Sequence, residues 1–486
     1  MTPRDRTATF LVVAALAFTA APGAAAPPGA APGSGTPVSR AEALREMDTT
    51  LRKAFPPREP GAAVLVVREG QPLLRRGYGL AEVENAVPAG VDGVFRIGAI
   101  TGQFTSAAIL MLAEEGKLEL GDSIEKHVTG WPTHGRTITL DQLLGHTSGI
   151  PGPPDRPGPP AGAAPGWTRD EALAEVKKLP LEFEPGTRFA WSSSGYLLLG
   201  VVIEKVSGIP FCEFVRRRIS VPLGLRSTGC EDPSAVVPRR VHGYAIEGGK
   251  VRSAERAAAL PDAAGALVST VDDLAAWESA LRAGKVVPRA ALALARTPGV
   301  LADGTPTRYG FGWMISEVEG RQSFEHGGGV GGFEPYLLSI PDEGLTVVVL
   351  TNREGGSPRP GDVALELASY ALGRRPRTPR AVVVSARELD RLAGVYGEES
   401  GWRRVVRREG NGLTLEGRGP PLRLVALGGD VFGWPDARRW RASFSKGANG
   451  APASLRITPA IGPEEVLPRS GPVPPAGQRA ASSPGG

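Results

Sequence analysis

Phe95-Arg-Ile-Gly-Ala-Ile-Thr-Gly-Gln-Phe-Thr105 is the stretch from which the rest of the chain can be ordered. Phe104, Ala108, Met111 and Leu112 recur at helical spacing and Gly116 follows Glu114-Glu115 as a C-cap, which predicts an amphipathic helix over 99–115. Ala99 and Gly102 then share one face of its first turn. A serine and a lysine at that spacing would form a nucleophile and base, the amine taking the proton as the hydroxyl attacks a carbonyl. Ala99 has no nucleophilic atom, and Gly102 has no base. Thr101 and Ser106 lie on the same helix, but Thr101 points roughly 160° away from Ala99 at about 100° per residue, and neither has a lysine partner.

The neighbouring motifs give this helix a context. Phe95-Arg-Ile-Gly is followed by Leu143-Leu-Gly-His-Thr-Ser-Gly149, Glu184-Pro-Gly-Thr-Arg-Phe189, Gly195-Tyr196 with Leu199-Gly200, Pro222-Leu-Gly224, Tyr309-Gly-Phe-Gly-Trp313 and His326-Gly-Gly-Gly329. In this order and spacing, over residues 40–375, the chain resembles the serine β-lactamase family, in particular its class C, D-Ala-D-Ala carboxypeptidase and esterase branch. The resemblance implies a Ser-x-x-Lys pair at 99 and 102, where Ala99 and Gly102 stand. It implies Tyr-x-Asn at 191–193, where Trp191-Ser192-Ser193 stands; an indole cannot act as a base, and Ser193 is too short to reach as asparagine does. It also implies an oxyanion hole made by the backbone N–H groups of Ala99 and Gly329, with His326 and Gly328 on the adjoining strand at the cleft edge. A literal Ser123-Ile-Glu-Lys126 falls in a polar stretch that the family uses as a surface connection.

The implied fold is α/β of the penicillin-recognising kind: an antiparallel sheet covered by a helical subdomain over 39–375, with the cleft between them. Residues 62–68 and 73–79 are its first hairpin. Later strands end near Phe324 and run over 336–340 and 345–351, and a helix spans 270–281. Beyond a linker at 376–385, short alternating runs at 402–407, 413–416, 422–427, 431–434, 440–444 and 454–457 predict a small antiparallel β-barrel over 386–467. Its opening Leu389, Leu392, Gly394 and Tyr396 resembles the lipocalin-like domain that often follows this family. Residues 468–486 read as a disordered tail.

Arg4 and Arg6 before the apolar run 10–18, with Gly23-Ala-Ala-Ala26 behind it, read as a signal peptide over 1–26, followed by a Pro/Gly/Ala linker over 27–38. That predicts an exported, periplasmic or extracellular protein with no membrane span after signal removal. Residues 151–166 form a proline-rich loop beside the expected cleft mouth. Cys212 and Cys230 can close a loop of about 19 residues, worth roughly 3 kcal/mol in an oxidising compartment. His127, His134, His146, His242 and His326 show no metal-ligand spacing, so neither metal nor cofactor is expected; His146 reads as a packed structural residue. The net charge of +5 comes from scattered arginine, which does not predict nucleic-acid binding.

Two functions compete. One is a non-catalytic pseudoenzyme that binds a peptidoglycan-like or amide ligand, or a protein partner, through Ala99, Ser192, His326, Gly328 and Gly329. The other is a working hydrolase of esters, β-lactams or peptides with an atypical nucleophile.

Overall fold

The structure is a computed structural model and describes residues 35–153, 168–232, 234–254, 262–376, 381–397, 403–417, 419–434, 437–447, 450–459 and 462–473. The stretch 1–26 read as a signal peptide, most of the expected first linker and of the proline-rich loop, and the last residues of the expected tail therefore lie outside the described residues.

At the centre is a six-stranded antiparallel sheet. Its strands are β1 (Ala62–Arg68), β2 (Gln71–Tyr78), β3 (Met314–Val318), β4 (Arg321–Gly327), β5 (Glu334–Ile340) and β6 (Leu345–Thr351), in the order β3-β4-β5-β6-β1-β2. The runs Ala62-Ala-Val-Leu-Val and Leu345-Thr-Val-Val-Val-Leu are apolar without alternation because both faces of the sheet are covered. Ala63, Leu65, Val348 and Leu350 face the helical region, while Val64, Val66, Val347 and Val349 face α1 (Arg40–Ala54) and a C-terminal helix, Pro360–Ala371. At about 25 cal/mol per Å² of apolar surface, these two cores are the main stabilising term.

The helix predicted over 99–115 is a 3₁₀ turn, Gly98–Ile100, leading into α2 (Thr101–Glu114), and Gly116 takes the left-handed conformation expected after a helix end. It is not amphipathic as expected. Every residue from Thr101 to Leu110 is buried, because α2 runs through the middle of the helical region against α3 (Ser193–Ser207). Its polar side chains find partners inside the core: Thr105 Oγ1 donates to Ala263 O at 2.7 Å, and Gln103 Oε1 accepts from Trp277 Nε1 at 3.2 Å, while Gln103 Nε2 has no hydrogen-bond partner among the described residues.

A small sheet fixes where this helix begins. Phe95–Arg96 pairs with Leu267–Ser269, which pairs in turn with Gly229–Cys230. Cys230 is disulfide-bonded to Cys212, in the helical turn Phe211–Val215, so the far strand of this sheet is anchored covalently to the helical region.

The C-terminal part is a closed eight-stranded antiparallel barrel, β7 (Gly394–Tyr396), β8 (Arg404–Glu409), β9 (Gly412–Gly417), β10 (Gly419–Gly428), β11 (Val431–Trp434), β12 (Ala437–Lys446), β13 (Pro452–Thr458) and β14 (Glu465–Gly471). Its interior is filled by Tyr396, Phe432, Phe444 and aliphatic side chains and plugged by Leu389 and Leu392. Two boundaries differ from the sequence reading. β14 extends to Gly471, so the tail cannot begin at 468: Tyr396 and Val395 pair with Arg469 and Gly471 to close the barrel. Residues 35–38 are bound and not a free linker, since Val38 N donates to Gly373 O and Pro37 bridges Arg374.

The barrel meets the main domain through side chains that include Arg439 and through the Gly462 turn. Arg439 of β12 reaches Glu325 of β4 at 2.6 Å, and Glu325 is fully buried. Gly462 lies so close to Phe189 that a Cβ there would sit 3.0 Å from the ring.

Candidate active-site cleft

Residues from five separate segments meet where the resemblance places the catalytic centre. Ala99, Gly102, His146, Trp191, Ser193, Tyr196, Ala264 and Tyr309 line a cavity of about 10 Å³, room for roughly one water. The space is filled by rings. The Trp191 indole lies 4.2 Å from the His146 imidazole at 31° and 5.6 Å from His326, while Tyr196 and Tyr309 flank His146 at 5.0 and 5.1 Å. Trp191 is 41% exposed and forms the outer surface of this stack.

Both buried imidazoles have fixed tautomers. Ser192 N donates to His146 Nδ1 at 3.2 Å, so the proton sits on Nε2, which has no hydrogen-bond partner among the described residues. His326 Nδ1 donates to Gly327 O at 2.6 Å, and its Nε2 accepts from Tyr309 Oη at 2.9 Å. Burial pushes the His146 pKa down to about 3, helped by the nearby His326, and pushes that of His326 down to about 4. Burial likewise raises Tyr196 to about 12, and Tyr309 well above its ordinary value. At neutral pH the site is therefore uncharged. It offers hydrogen bonds and flat apolar faces, with no group poised near pH 7 for proton transfer.

Ala99, Gly102, Trp191 and Ser193 come together around the cavity, and His326 joins them through Tyr309 and Trp191. A Cβ on Gly102 would touch the Tyr196 ring at 3.1 Å, so a larger residue there needs the ring to give by a few tenths of an ångström. Gly328 faces the helix start so closely that a Cβ would lie 2.7 Å from Ala99 N, and only glycine fits. Gly329 beside it is exposed. Ser192 Oγ is engaged within the fold: it caps α3, accepting from Gly195 N at 3.2 Å, and donates to Pro151 O at 3.4 Å. His326 and Gly327 belong to β4, which was expected to end near Phe324; pairing with Leu337 and Tyr336 carries the strand on.

Other candidates lie elsewhere. Ser123 caps the helix Ile124–His127 and Lys126 pairs with Asp122 at 2.6 Å on the surface. Thr101 is buried with its Oγ1 accepting from Leu267 N. Ser106 Oγ lies 3.4 Å from Tyr196 Oη, whose own proton goes to Leu144 O at 2.9 Å. His146, Tyr196 and Tyr309 were visible in the sequence only as members of landmark motifs. His146 is packed as expected, and it also turns its unpartnered Nε2 into the ring cluster. Among the described residues, the one group of side chains suited to a metal ion is Glu82, Glu84 and His242, none of which lines the cavity.

Residues 51–371 match the model of the family described as Beta-lactamase. The chain belongs to the β-lactamase family. Among its relatives in that family, penicillin-binding protein 4* of Bacillus subtilis (strain 168) is 26% identical over 384 residues, covering 73% of this chain and 83% of that protein. Protein flp of Staphylococcus aureus (strain COL) is 27% identical over 303 residues, 60% of this chain and 59% of that one. The octameric penicillin-binding protein homologue from Pyrococcus abyssi superposes with a TM-score of 0.62 at 24% identity, covering 87% of this chain and 99% of that one. A D-stereospecific amidohydrolase from Streptomyces sp. gives 0.55 at 26%, with 68% and 98% covered.

Proposed function

We propose that this β-lactamase-family protein is exported and non-catalytic, and that its cleft binds an amide-bearing, peptidoglycan-like ligand or a segment of a protein partner. The observation that carries the reading is the composition of the cavity: alanine, glycine and tryptophan at 99, 102 and 191, next to two imidazoles that are neutral near pH 7. Removing the nucleophile of a serine hydrolase costs about 10⁶ in turnover and leaves only what binding and backbone donors supply. The names of the relatives, penicillin-binding proteins and a D-stereospecific amidohydrolase, point to the amide class of ligand. A ligand enters this cavity by displacing Trp191, its exposed wall. The Cys212–Cys230 bond supports an oxidising destination, and no helix among the described residues is long and apolar enough to cross a membrane.

The competing reading is a hydrolase with an atypical serine, and Ser193 on the cavity wall is its one specific support. Labelling with fluorescent penicillin and with a fluorophosphonate, read by intact-mass spectrometry, separates the two. No adduct is expected; a stoichiometric adduct abolished by Ser193→Ala would sink the non-catalytic reading. Activity should instead require Ala99→Ser, Gly102→Lys and Trp191→Tyr together, since the hydroxyl alone stays protonated and weakly nucleophilic. p-Nitrophenyl ester turnover by Ala99→Ser alone would contradict this.

A further inference from the structure

A second cluster of chemically able side chains lies outside the cleft. Glu82 ends the short strand Leu80–Glu82, Glu84 follows two residues later in the turn toward Val87–Pro88, and His242 arrives from a distant part of the chain just before the strand Tyr244–Glu247. One imidazole nitrogen and two carboxylate oxygens, one per residue, lie within 4.8 Å of one another. We propose that Glu82, Glu84 and His242 form a binding site for a divalent metal ion of the zinc class, independently of whether the cleft binds a ligand.

The scaffold around the three donors is rigid. His242 N donates to Ala81 O at 3.1 Å, which sets His242 in register beside Glu82. The buried Asn352 amide donates to Leu80 O, Ala81 O and His242 O, at 3.1, 3.2 and 2.8 Å, so one side chain pins both segments. Outer partners also orient the ligands. Tyr244 Oη accepts from Val83 N at 2.8 Å and donates to Glu84, and Asn85 donates to Glu82. Neighbours that orient ligating groups are the ordinary outer shell of a protein metal centre.

The donor set selects the ion. An imidazole with two carboxylates suits zinc and its neighbours, at about 2.0–2.2 Å per bond, whereas calcium prefers six to eight oxygens. Two carboxylates neutralise a dication, and small rotations bring donors now within 4.8 Å to the roughly 3.4 Å separation of tetrahedral ligands at those bond lengths. Glu84 is exposed and the other two are half-buried, so water can complete the shell. The histidine had no metal-like spacing in the sequence because its partners come from a hairpin far upstream.

The test is titration of the full-length, chelator-treated protein with zinc chloride and, separately, calcium chloride, by calorimetry and by thermal shift. One zinc per chain is expected, with a higher melting temperature, no comparable calcium response, and affinity reduced about tenfold or more by Glu84→Gln or His242→Ala. Tyr244→Phe, which keeps all three ligands, should weaken zinc binding by about tenfold through loss of orientation. Unchanged melting of the variants in chelator certifies that they fold. Absence of zinc binding, equal binding by wild type and both ligand variants, or a calcium response that survives His242→Ala would each overturn the site and leave only a hydrogen-bonded cluster.

Discussion

Glu325 and His326 are consecutive on β4 and so point to opposite faces of the sheet. Their surroundings could hardly differ more. Glu325 is buried and ion-paired, facing Arg439 at 2.6 Å and accepting from Ser323 at 2.6 Å and Tyr336 at 2.5 Å. His326 is buried and neutral, bonded to Tyr309 and packed toward Trp191. The face away from the cleft retains an ion because the barrel delivers a counter-charge and two hydroxyls complete the shell. The cleft face has rings where such a shell would have to stand, and its titratable groups are driven to their uncharged forms. Glu325 is thus matched by partners from the barrel, from the neighbouring strand and from its own strand.

The largest effect should come from breaking the charged side. Arg439→Met leaves Glu325 uncompensated and is expected to cost about 3–5 kcal/mol in chemical denaturation, with much of that recovered in the double variant with Glu325→Gln. A loss below about 1 kcal/mol would mean that the two faces are not electrostatically distinct. The neutral side should show itself in acid. The pKa values of His146 and His326, about 3 and about 4 in the fold, lie below the ordinary 6.5, so the unfolded chain binds more protons in that window. Stability is then complete above about pH 6.5 and falls as pH drops toward 4 and 3, by at most about 1.4 kcal/mol per pH unit per histidine. Denaturation series from pH 7 to 4 should flatten in His146→Phe; an unchanged slope would place the acid sensitivity elsewhere.

Smaller effects sharpen the contrast. Trp191→Ala removes a partly exposed ring and should cost about 1 kcal/mol, while enlarging the cavity enough for a muropeptide fragment to bind more tightly by calorimetry. Weaker binding instead would make Trp191 part of the ligand contact and not its barrier. Smallest of all, Ser123→Ala with Lys126→Ala should change stability by less than about 1 kcal/mol, most of it the lost helix cap, and leave chemical labelling unaltered.

The order of motifs made the main domain and the position of the cleft legible, because each short phrase marks a turn or a close approach that few residues tolerate. Gly328 against the Ala99 amide is one such approach. What the sequence hid has physical reasons. The start of α2 contains Thr101, Gln103, Thr105 and Ser106, which suggest a wet face, yet these groups find partners inside the core. The end of β4 is glycine-rich and β14 contains Pro468, and both are held as strands by their neighbours despite poor propensity. At the site, positions 99, 102, 191 and 193 were readable from motif alignment, but the convergence of His146, Tyr196 and Tyr309 is a tertiary fact that no local spacing records.

The grip of Arg439 on Glu325 also has a bearing on the order of assembly. A chain made from its N-terminus completes β4 well before β12 emerges, and throughout that interval Glu325 lacks the cation it will finally face. The strands beside β4 are already in place, so what the barrel adds last is the cation for a side chain on one face of a finished sheet. Truncation in the 376–385 segment would accordingly leave the first domain with Glu325 lacking its Arg439 partner, not an independent half.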